Sequence, residues 1–464
     1  MTNNETSDFR LLREDGVLTG YEGECPEDLD VPEGVTEIGD GAFAGCGFYE
    51  VSLPESLRKI GKGAFEDCCF LHETVIPEGV AEIGERAFAG CSNLKTAILP
   101  KSVKTVGKSA FDGCIWLDKA IIYGRETEIG ERAFADAVAL RIDCGVLTGH
   151  EGESPSFLEI PEGVTEIGAG AFAGCVWLEE AVFPESLSII GDGAFAGCIR
   201  LERAEQPYRS RENGKRARSG ELLLSENIRE ICSDAFAGCR LSSISGIASK
   251  ETVASDAFRG DTVFWIENGT LMGRFGDDPE VPVIPLGITG IMDGAFRECA
   301  KLTEICVPAG VRVIGADAFR GCPKLKKAVL PEGLDTIDDR AFADCPSLEE
   351  MDIPGSVKLL GISAFRNVPA VPFELQIKDG KLTGYNGPCP DRVEIPEGVT
   401  EIEREAFGNF DSDEACGPKE IAIPKSVTKI GDGAFSFCED ITIVSQNPAA
   451  KEFAEKEGIP VKDR

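Results

Sequence analysis

Apolar positions recur with a period of 22 or 23 residues along most of the chain. Each of fifteen units centres on a Phe that directly follows Ala, with Ile, Val or Leu five residues earlier. Cys stands three residues after the Phe in eleven units, the exceptions being Ala137, Asp261, Val368 and Phe410. Because one unit is too short to bury its own Phe, the period predicts a solenoid whose stacked units form the core. The core residues are Phe43, Phe65, Phe88, Phe111, Phe134, Phe172, Phe195, Phe236, Phe258, Phe296, Phe319, Phe342, Phe365, Phe407 and Phe435.

The pattern within one unit predicts two extended segments and a helical turn. Residues 94–99 alternate as a short strand, residues 103–106 form a second extended segment, and residues 108–114 form the helical turn. A Gly four residues before the Phe in ten units allows a sharp bend into that turn. The predicted fold class is therefore an α/β repeat solenoid with a parallel sheet and short helical turns opposite. The inward side chains of this strand are Leu94, Ala97 and Leu99.

A second, longer period divides the repeats into about four blocks. The glycine-punctuated segment at residues 16–23 returns at 145–152, 269–273 and 380–387, and its alternating apolar residues predict hairpin insertions. We expect one domain over residues 1–464, with a hairpin cap at 1–31, fifteen repeats at 32–438 and a carboxy-terminal cap at 439–464. In that last cap, Pro448 to Glu457 is expected to form an amphipathic helix that Gly458 stops.

The run Ile160-Pro161-Glu162-Gly163-Val164-Thr165-Glu166-Ile167-Gly168-Ala169-Gly170-Ala171-Phe172-Ala173-Gly174-Cys175 resembles the BspA-like leucine-rich repeat. The resemblance covers residues 9 to 461. It implies a right-handed curved solenoid with its parallel sheet on the concave side. Members of that family are typically bacterial or protist surface proteins that bind other proteins, and they share no catalytic residues.

The charge balance limits the partners of the chain. Lys and Arg total 47 against 81 Asp and Glu, a net charge of −34, which repels nucleic acid and anionic membranes. Residues 1–8 lack an export-signal pattern and no 18-residue apolar run occurs, so we expect no membrane insertion. A cytoplasmic location follows by default, whereas the family resemblance favours a secreted or cell-surface one.

The candidate chemical groups are few. Eleven of the 18 Cys follow the repeat spacing, and we interpret them as reduced, buried thiols. Zinc needs ligands that converge in a tetrahedron, whereas the repeat places these thiols in a line, so we expect no zinc site. His72 and His150 have no evident partner, so we expect no catalytic set, cofactor or metal. The basic segment at 208–218 fits a solvated loop, a docking site for an acidic partner or a protease-sensitive loop. The acidic run at 411–414 is too short for a calcium loop.

The remaining candidate site is the outward side of the predicted sheet. Val75, Ile98 and Ile121 follow one another on consecutive strands and form an apolar stripe bordered by charge. Such residues either stabilise the sheet or form a protein-binding strip. We predict a monomeric, non-catalytic protein-binding scaffold of unknown partner; the alternative is a structural or self-associating protein without a dedicated ligand site. The predicted strip comprises Glu73, Val75, Thr96, Ile98, Lys119, Ile121, Glu180, Val182, Lys327 and Val329.

Overall fold

The computed structural model describes residues 9–206, 217–407, 417–436, 438 and 440–463. The described chain divides into two compact units. Unit 1 runs to Ser242 and includes Gly246–Asp261, and unit 2 comprises Ser243–Ser245 and the chain from Thr262 onward. Each unit is a parallel-strand β-solenoid. Most of the basic segment 208–218, residue 410 and the acidic run 411–414 lie outside the described residues.

Each repeat is one rung of the solenoid and contributes to two parallel ladders. The first ladder holds the strands that precede the proline turn, and the second holds two-residue strands that end five residues before the core Phe. In unit 1 the first-ladder strands are Asp28–Asp30, Glu50–Ser52, Glu73–Val75, Thr96–Leu99, Lys119–Ile122, Phe157–Glu159, Glu180–Val182, Arg203–Glu205 and Glu221–Leu223. The second-ladder strands there are Glu37–Ile38, Lys59–Ile60, Glu82–Ile83, Thr105–Val106, Glu128–Ile129, Glu166–Ile167, Ile189–Ile190 and Glu230–Ile231.

Unit 2 repeats this arrangement. Its first-ladder strands are Ser243–Ser245, Glu304–Cys306, Lys327–Val329, Glu350–Met351, Arg392–Glu394, Glu420–Ala422, Thr442–Val444 and Val461–Lys462. Its second-ladder strands are Gly290–Ile291, Val313–Ile314, Thr336–Ile337, Leu359–Leu360, Glu401–Ile402 and Lys429–Ile430.

Antiparallel hairpins occur at the four segments where the glycine pattern predicts them. In the second hairpin, Val138–Asp143 continues the first ladder beside Lys119–Ile122, and Val146–Gly152 starts a new second ladder beside Glu166–Ile167. The second hairpin is thus a rung that links two blocks. The hairpins are Arg10–Glu14 with Val17–Glu22, Val138–Asp143 with Val146–Gly152, Thr262–Glu267 with Thr270–Gly276, and Glu374–Lys378 with Lys381–Asn386.

In each unit the core Phe side chains form a column of stacked rings, and we call this feature the ring column. All fifteen are buried, and the rings of Phe88, Phe111 and Phe134 lie 5.1 and 5.0 Å apart at interplanar angles of 6° and 8°. Hairpin side chains continue the column: His150 stacks on Phe172 at 5.4 Å. The expected inward residues Leu94, Ala97 and Leu99 are also buried.

The segments around the core Phe are turns, so the expected helical turns are wrong. Ser109 and Gly113, on either side of Phe111, have φ of 53° and 79°, and a positive φ at every fourth residue interrupts an α-helix. The backbone N–H groups bond between rungs instead; Phe111 N donates to the Ala133 carbonyl oxygen at 2.8 Å. Within the described ranges, the helices are a 3₁₀ turn, Lys250–Thr252, and an α-helix, Pro448–Glu457.

The glycines that stand four residues before ten of the core Phe residues have a different role from the bend expected of them. A Cβ at Gly107 would lie 2.3 Å from Glu85 N, and one at Gly130 would lie 2.5 Å from Lys108 N. Neither residue has a positive φ. Glycine at this position therefore permits close approach of successive backbones.

The carboxy-terminal helix has the predicted bounds. The Asn447 side chain accepts a hydrogen bond from Ala449 N at 2.8 Å, and Gly458 ends the helix with a φ of 71°. Phe453 packs edge-on against Phe435, the last ring of the column, at 5.8 Å between ring centroids.

Candidate functional site

The predicted strip on the first ladder is only partly available to a partner. Val75 is 75% exposed, whereas Ile98 is half-buried and Ile121 is 2% exposed. Ile121 pairs with Leu140, a buried residue of the second hairpin, so the stripe does not continue through this rung. The expectation that Ile121 contacts a partner is therefore wrong.

The other members of the strip remain at the surface. Glu73, Lys119 and Val329 are exposed, and Thr96, Glu180, Val182 and Lys327 are partly exposed. Glu180 pairs with Arg203 at 3.3 Å and Lys327 with Glu350 at 3.0 Å, in both cases across neighbouring strands. Exposed pairs of this kind contribute little stability and leave the surface polar.

Four exposed aromatic side chains lie shortly before first-ladder strands of unit 1, on rungs that are not all neighbours, since Asn93 holds the place between Phe70 and Trp116. We call Tyr49, Phe70, Trp116 and Trp177 the aromatic edge. Phe70, Trp116 and Trp177 each stand five residues after a core Phe and are 51%, 59% and 56% exposed. Tyr49 is also exposed and packs edge-on against Phe70 at 5.8 Å between ring centroids.

The aromatic edge is confined to part of the solenoid. At the same position in unit 2 stand Lys301, Lys324 and Ser347. The ring column, by contrast, is the same in both units, so the aromatic edge is not required by the fold. Large exposed aromatics beside polar groups are typical of binding surfaces.

Charged groups border the aromatic edge. The Arg200 guanidinium lies 4.6 Å from the centre of the Trp177 ring, and its Nη1 donates to Glu179 Oε1 at 3.2 Å. Asp118 follows Trp116 and is exposed. This border can pair with polar groups of a partner around an apolar centre.

Sequence reasoning missed the aromatic edge because the apolar run Ile115-Trp116-Leu117 predicts no alternation. In the structure Leu117 is buried while Ile115 and Trp116 face outward. A comparison of equivalent positions could have found these residues. Five residues after the core Phe, these rungs carry Trp, whereas other rungs carry polar residues such as Asn93 or Lys324.

The ladder thiols have a structural role. Cys114 Sγ donates to the Phe88 carbonyl oxygen of the preceding rung at 3.2 Å, and Cys198 does the same to Phe172 at 3.2 Å. Burial raises the pKa of Cys114 and of Cys198 to about 12, so both remain protonated donors at neutral pH. The Cys residues of the described chain are free thiols.

The two histidines make ring contacts with neighbouring aromatic side chains in the structure. His150 Nε2 lies 3.9 Å from Cys175 Sγ, and the imidazole stacks on Phe172. His72 stacks beside Tyr49 at 5.9 Å. Both contacts are explained by packing of neighbouring rungs.

Two searches for other kinds of site cover the described residues only. No group of three or more His, Cys, Asp or Glu side chains is arranged there to hold a metal ion. No helix in the same part of the chain has the length and apolar character needed to cross a membrane.

The two ladders, the ring column and the 22- to 23-residue rung define a leucine-rich-repeat solenoid. A family model described as "BspA type Leucine rich repeat region" matches residues 21–141, 151–263, 281–379 and 385–456. The chain belongs to this family, as its sequence pattern predicts. Proteins of the leucine-rich-repeat family are generally non-catalytic, and the repeat suggests a protein-interaction or scaffold role.

Three solved structures illustrate the similarity. A leucine-rich repeat protein from Bacteroides ovatus is 23% identical, with 100% of this chain and 99% of that chain covered and a TM-score of 0.24. A leucine rich cell surface protein from Faecalibacterium prausnitzii is 21% identical over 98% and 96% of the chains, with a TM-score of 0.20. The pneumococcal vaccine antigen PcpA is 16% identical over 100% and 98%, with a TM-score of 0.24. No curated protein matches the sequence.

Proposed function

We propose that the chain is a non-catalytic protein-binding scaffold whose partner docks on the aromatic edge and the adjoining first ladder of unit 1. The observation that carries this proposal is the exposure of Phe70, Trp116 and Trp177 on a fold that does not need them. Trp and Tyr are the residues most often found at the energetic centre of protein interfaces. By family resemblance, the first ladder would be the concave side of a right-handed solenoid.

The remaining exposed members of the predicted strip extend this surface. Val75 lies five residues after Phe70 and is exposed on the next strand, with Glu73 on the same strand. The aromatic edge supplies the apolar centre, and the ladder supplies a charged border.

Affinity capture from native lysate and culture supernatant tests the proposal. We expect Trp116→Ala with Trp177→Ala to abolish capture of a partner that the wild-type chain retains. The matched control is Lys301→Ala with Lys324→Ala, which changes the same rung position in unit 2 and should leave capture intact. Equal capture by wild type and the Trp variant would contradict the proposal.

Self-association is the competing role, since the same aromatic edge can pack against a second copy. Light scattering across a concentration series separates the two roles. A monomer at every concentration supports a foreign partner, whereas a concentration-dependent oligomer that the Trp variant loses supports self-association.

A further inference from the structure

The amino-terminal hairpin is attached to the first rung by ring stacking and by backbone hydrogen bonds. The Tyr21 ring lies 6.0 Å from that of Phe43 and continues the ring column. Gly39 N donates to the Leu18 carbonyl oxygen at 2.8 Å. The hairpin therefore covers the first ring of unit 1, and the strength of its attachment decides how readily this ring becomes exposed.

Two thiols meet where this hairpin joins the first rung. Cys25 follows the hairpin and is half-buried, whereas Cys46 belongs to the first rung and is buried. Cys46 lies against both the Cys25 thiol and the Tyr21 hydroxyl. Neighbouring rungs are about 4.8 Å apart. This spacing is inside the Cα separation of about 4.4–6.8 Å that a disulfide spans.

Thiols deeper in the stack are held parallel by the backbone. Cys68 Sγ donates to the Phe43 carbonyl oxygen at 3.1 Å, and Cys91 Sγ donates to that of Phe65 at 3.1 Å. Each of these thiols points to the preceding rung in the same direction, whereas a disulfide needs a dihedral of about 90° about its S–S bond. A disulfide between them would also break two buried hydrogen bonds.

Cys25 enters the stack of thiols in a different way. It follows Tyr21 by four residues, whereas a ladder thiol follows its core Phe by three. Its Sγ donates to the carbonyl oxygen of the next residue, Pro26, at 3.6 Å. The Cys25 side chain can therefore turn towards Cys46 without breaking a hydrogen bond between rungs.

The other hairpins carry different chemistry at the same two positions. The first position lies four residues after the hairpin residue that is equivalent to Tyr21 in strand register, and the second lies three residues after the next core Phe. A hydroxyl bonds to the thiol at the second hairpin, and a carboxylate does so at the third. The first hairpin is the one of the four with Cys at both positions. The four pairs are Cys25 with Cys46, Ser154 with Cys175, Asp278 with Cys299, and Cys389 with Phe410.

We propose that Cys25 and Cys46 are a redox-sensitive pair that forms a disulfide in an oxidising environment and thereby fastens the amino-terminal hairpin to the first rung. The bond closes a loop of about 20 residues and restricts the states in which the hairpin is detached. This site is separate from the aromatic edge and does not rest on the proposed function.

The oxidant is a small-molecule disulfide such as oxidised glutathione. Burial raises the pKa of Cys46 to about 12, so the more accessible Cys25 reacts first. Its thiolate attacks one sulfur of the oxidant and releases one thiol. Cys46 then loses its proton to water, and its sulfur attacks Cys25 Sγ and releases the second thiol. Two protein thiols are oxidised, and one external disulfide is reduced to two thiols.

Peptide mapping of the full chain by mass spectrometry tests the proposal. The chain is incubated with oxidised glutathione, its remaining thiols are alkylated, and it is digested without reduction. We expect the peptides that contain Cys25 and Cys46 to be joined, with a loss of two hydrogens, and to separate on reduction. The exposed Cys69 and Cys144 should carry glutathione, which shows that the oxidant acted.

Amide hydrogen exchange shows whether the bond fastens the hairpin. The Gly39 amide, which bonds to the hairpin, should exchange at least about tenfold more slowly in the oxidised chain than in the reduced chain. The Phe319 amide in unit 2 should exchange equally fast in both.

Two variants exchange the chemistry of the first and second hairpins. Cys25→Ser copies the second hairpin, so this chain should fold and its Gly39 amide should not respond to the oxidant. Ser154→Cys copies the first hairpin and should gain a crosslink to Cys175 under the same conditions.

The proposal is overturned if Cys25 and Cys46 both remain open to alkylation, if Cys25 keeps glutathione as a mixed disulfide, or if Cys46 joins Cys68. It is equally overturned if the crosslinked chain exchanges its Gly39 amide as fast as the reduced chain. A Ser154→Cys chain that forms no crosslink would contradict the geometry that the hairpins share.

Discussion

Replacement of Phe111 by Ala measures how much the ring column contributes to stability. Phe111 is fully buried and its ring has a stacked neighbour on both faces, Phe88 at 5.1 Å and Phe134 at 5.0 Å. Truncation of a buried Phe costs about 3–5 kcal/mol. We expect the upper half of that range, because two aromatic contacts are lost at once.

The assay combines denaturant unfolding with amide hydrogen exchange, since a repeat array can open in parts. Amide exchange should accelerate most at Phe88 and Phe134, and the acceleration should decrease with distance along the stack. Trp116→Ala is the control within the same rung: it removes a larger ring that is 59% exposed and should cost about 0.5 kcal/mol or less. If the two variants lose equal stability, or if Phe111→Ala costs less than about 2 kcal/mol, the ring column is not the core.

Two further predictions concern the ladder thiols and the glycines. Burial raises the pKa of the Cys114 thiol from 9.0 to about 12 in the folded chain. The thiol of the unfolded chain therefore loses its proton at lower pH, and the free energy of unfolding falls as pH rises from 9 towards 12. The unfolding free energy of Cys114→Val, measured from pH 8 upward, should therefore fall less steeply than that of wild type; parallel curves would refute this. Gly107→Ala forces a Cβ to within 2.3 Å of Glu85 N and should cost about 1–3 kcal/mol in thermal unfolding. Gly47→Ala, which has open space and an ordinary φ, should change stability by less than about 0.5 kcal/mol, and an equal effect of the two changes would contradict the close-approach account.

The features that repeat were predictable from the sequence. The Ala-Phe spacing located the buried ring of every rung, and the residues around Pro448 and Gly458 located the last helix with its observed bounds. The turns were not predictable, because Arg86 and Ser109 adopt positive φ although neither is Gly. Inter-rung hydrogen bonds hold them there, and these bonds exist only once the neighbouring rungs are stacked.

The candidate sites depend on places where one rung differs from the next. Ile121 resembles Ile98 in sequence, but its neighbour is a hairpin strand, and this buries it. Whether Trp116 or Leu117 faces outward is set by the turn conformation, which alternation does not encode.

The most direct test of the central claim is site-specific photocrosslinking in native extract. A benzophenone amino acid at position 116 keeps an aromatic side chain on the aromatic edge, and the same group at position 324 marks the equivalent place in unit 2. We predict a crosslinked partner from position 116 that is absent from position 324 and is competed away by excess wild-type chain. Equal crosslinking from both positions, or none from position 116 while the wild-type chain captures a partner, would contradict the assignment of binding to the aromatic edge.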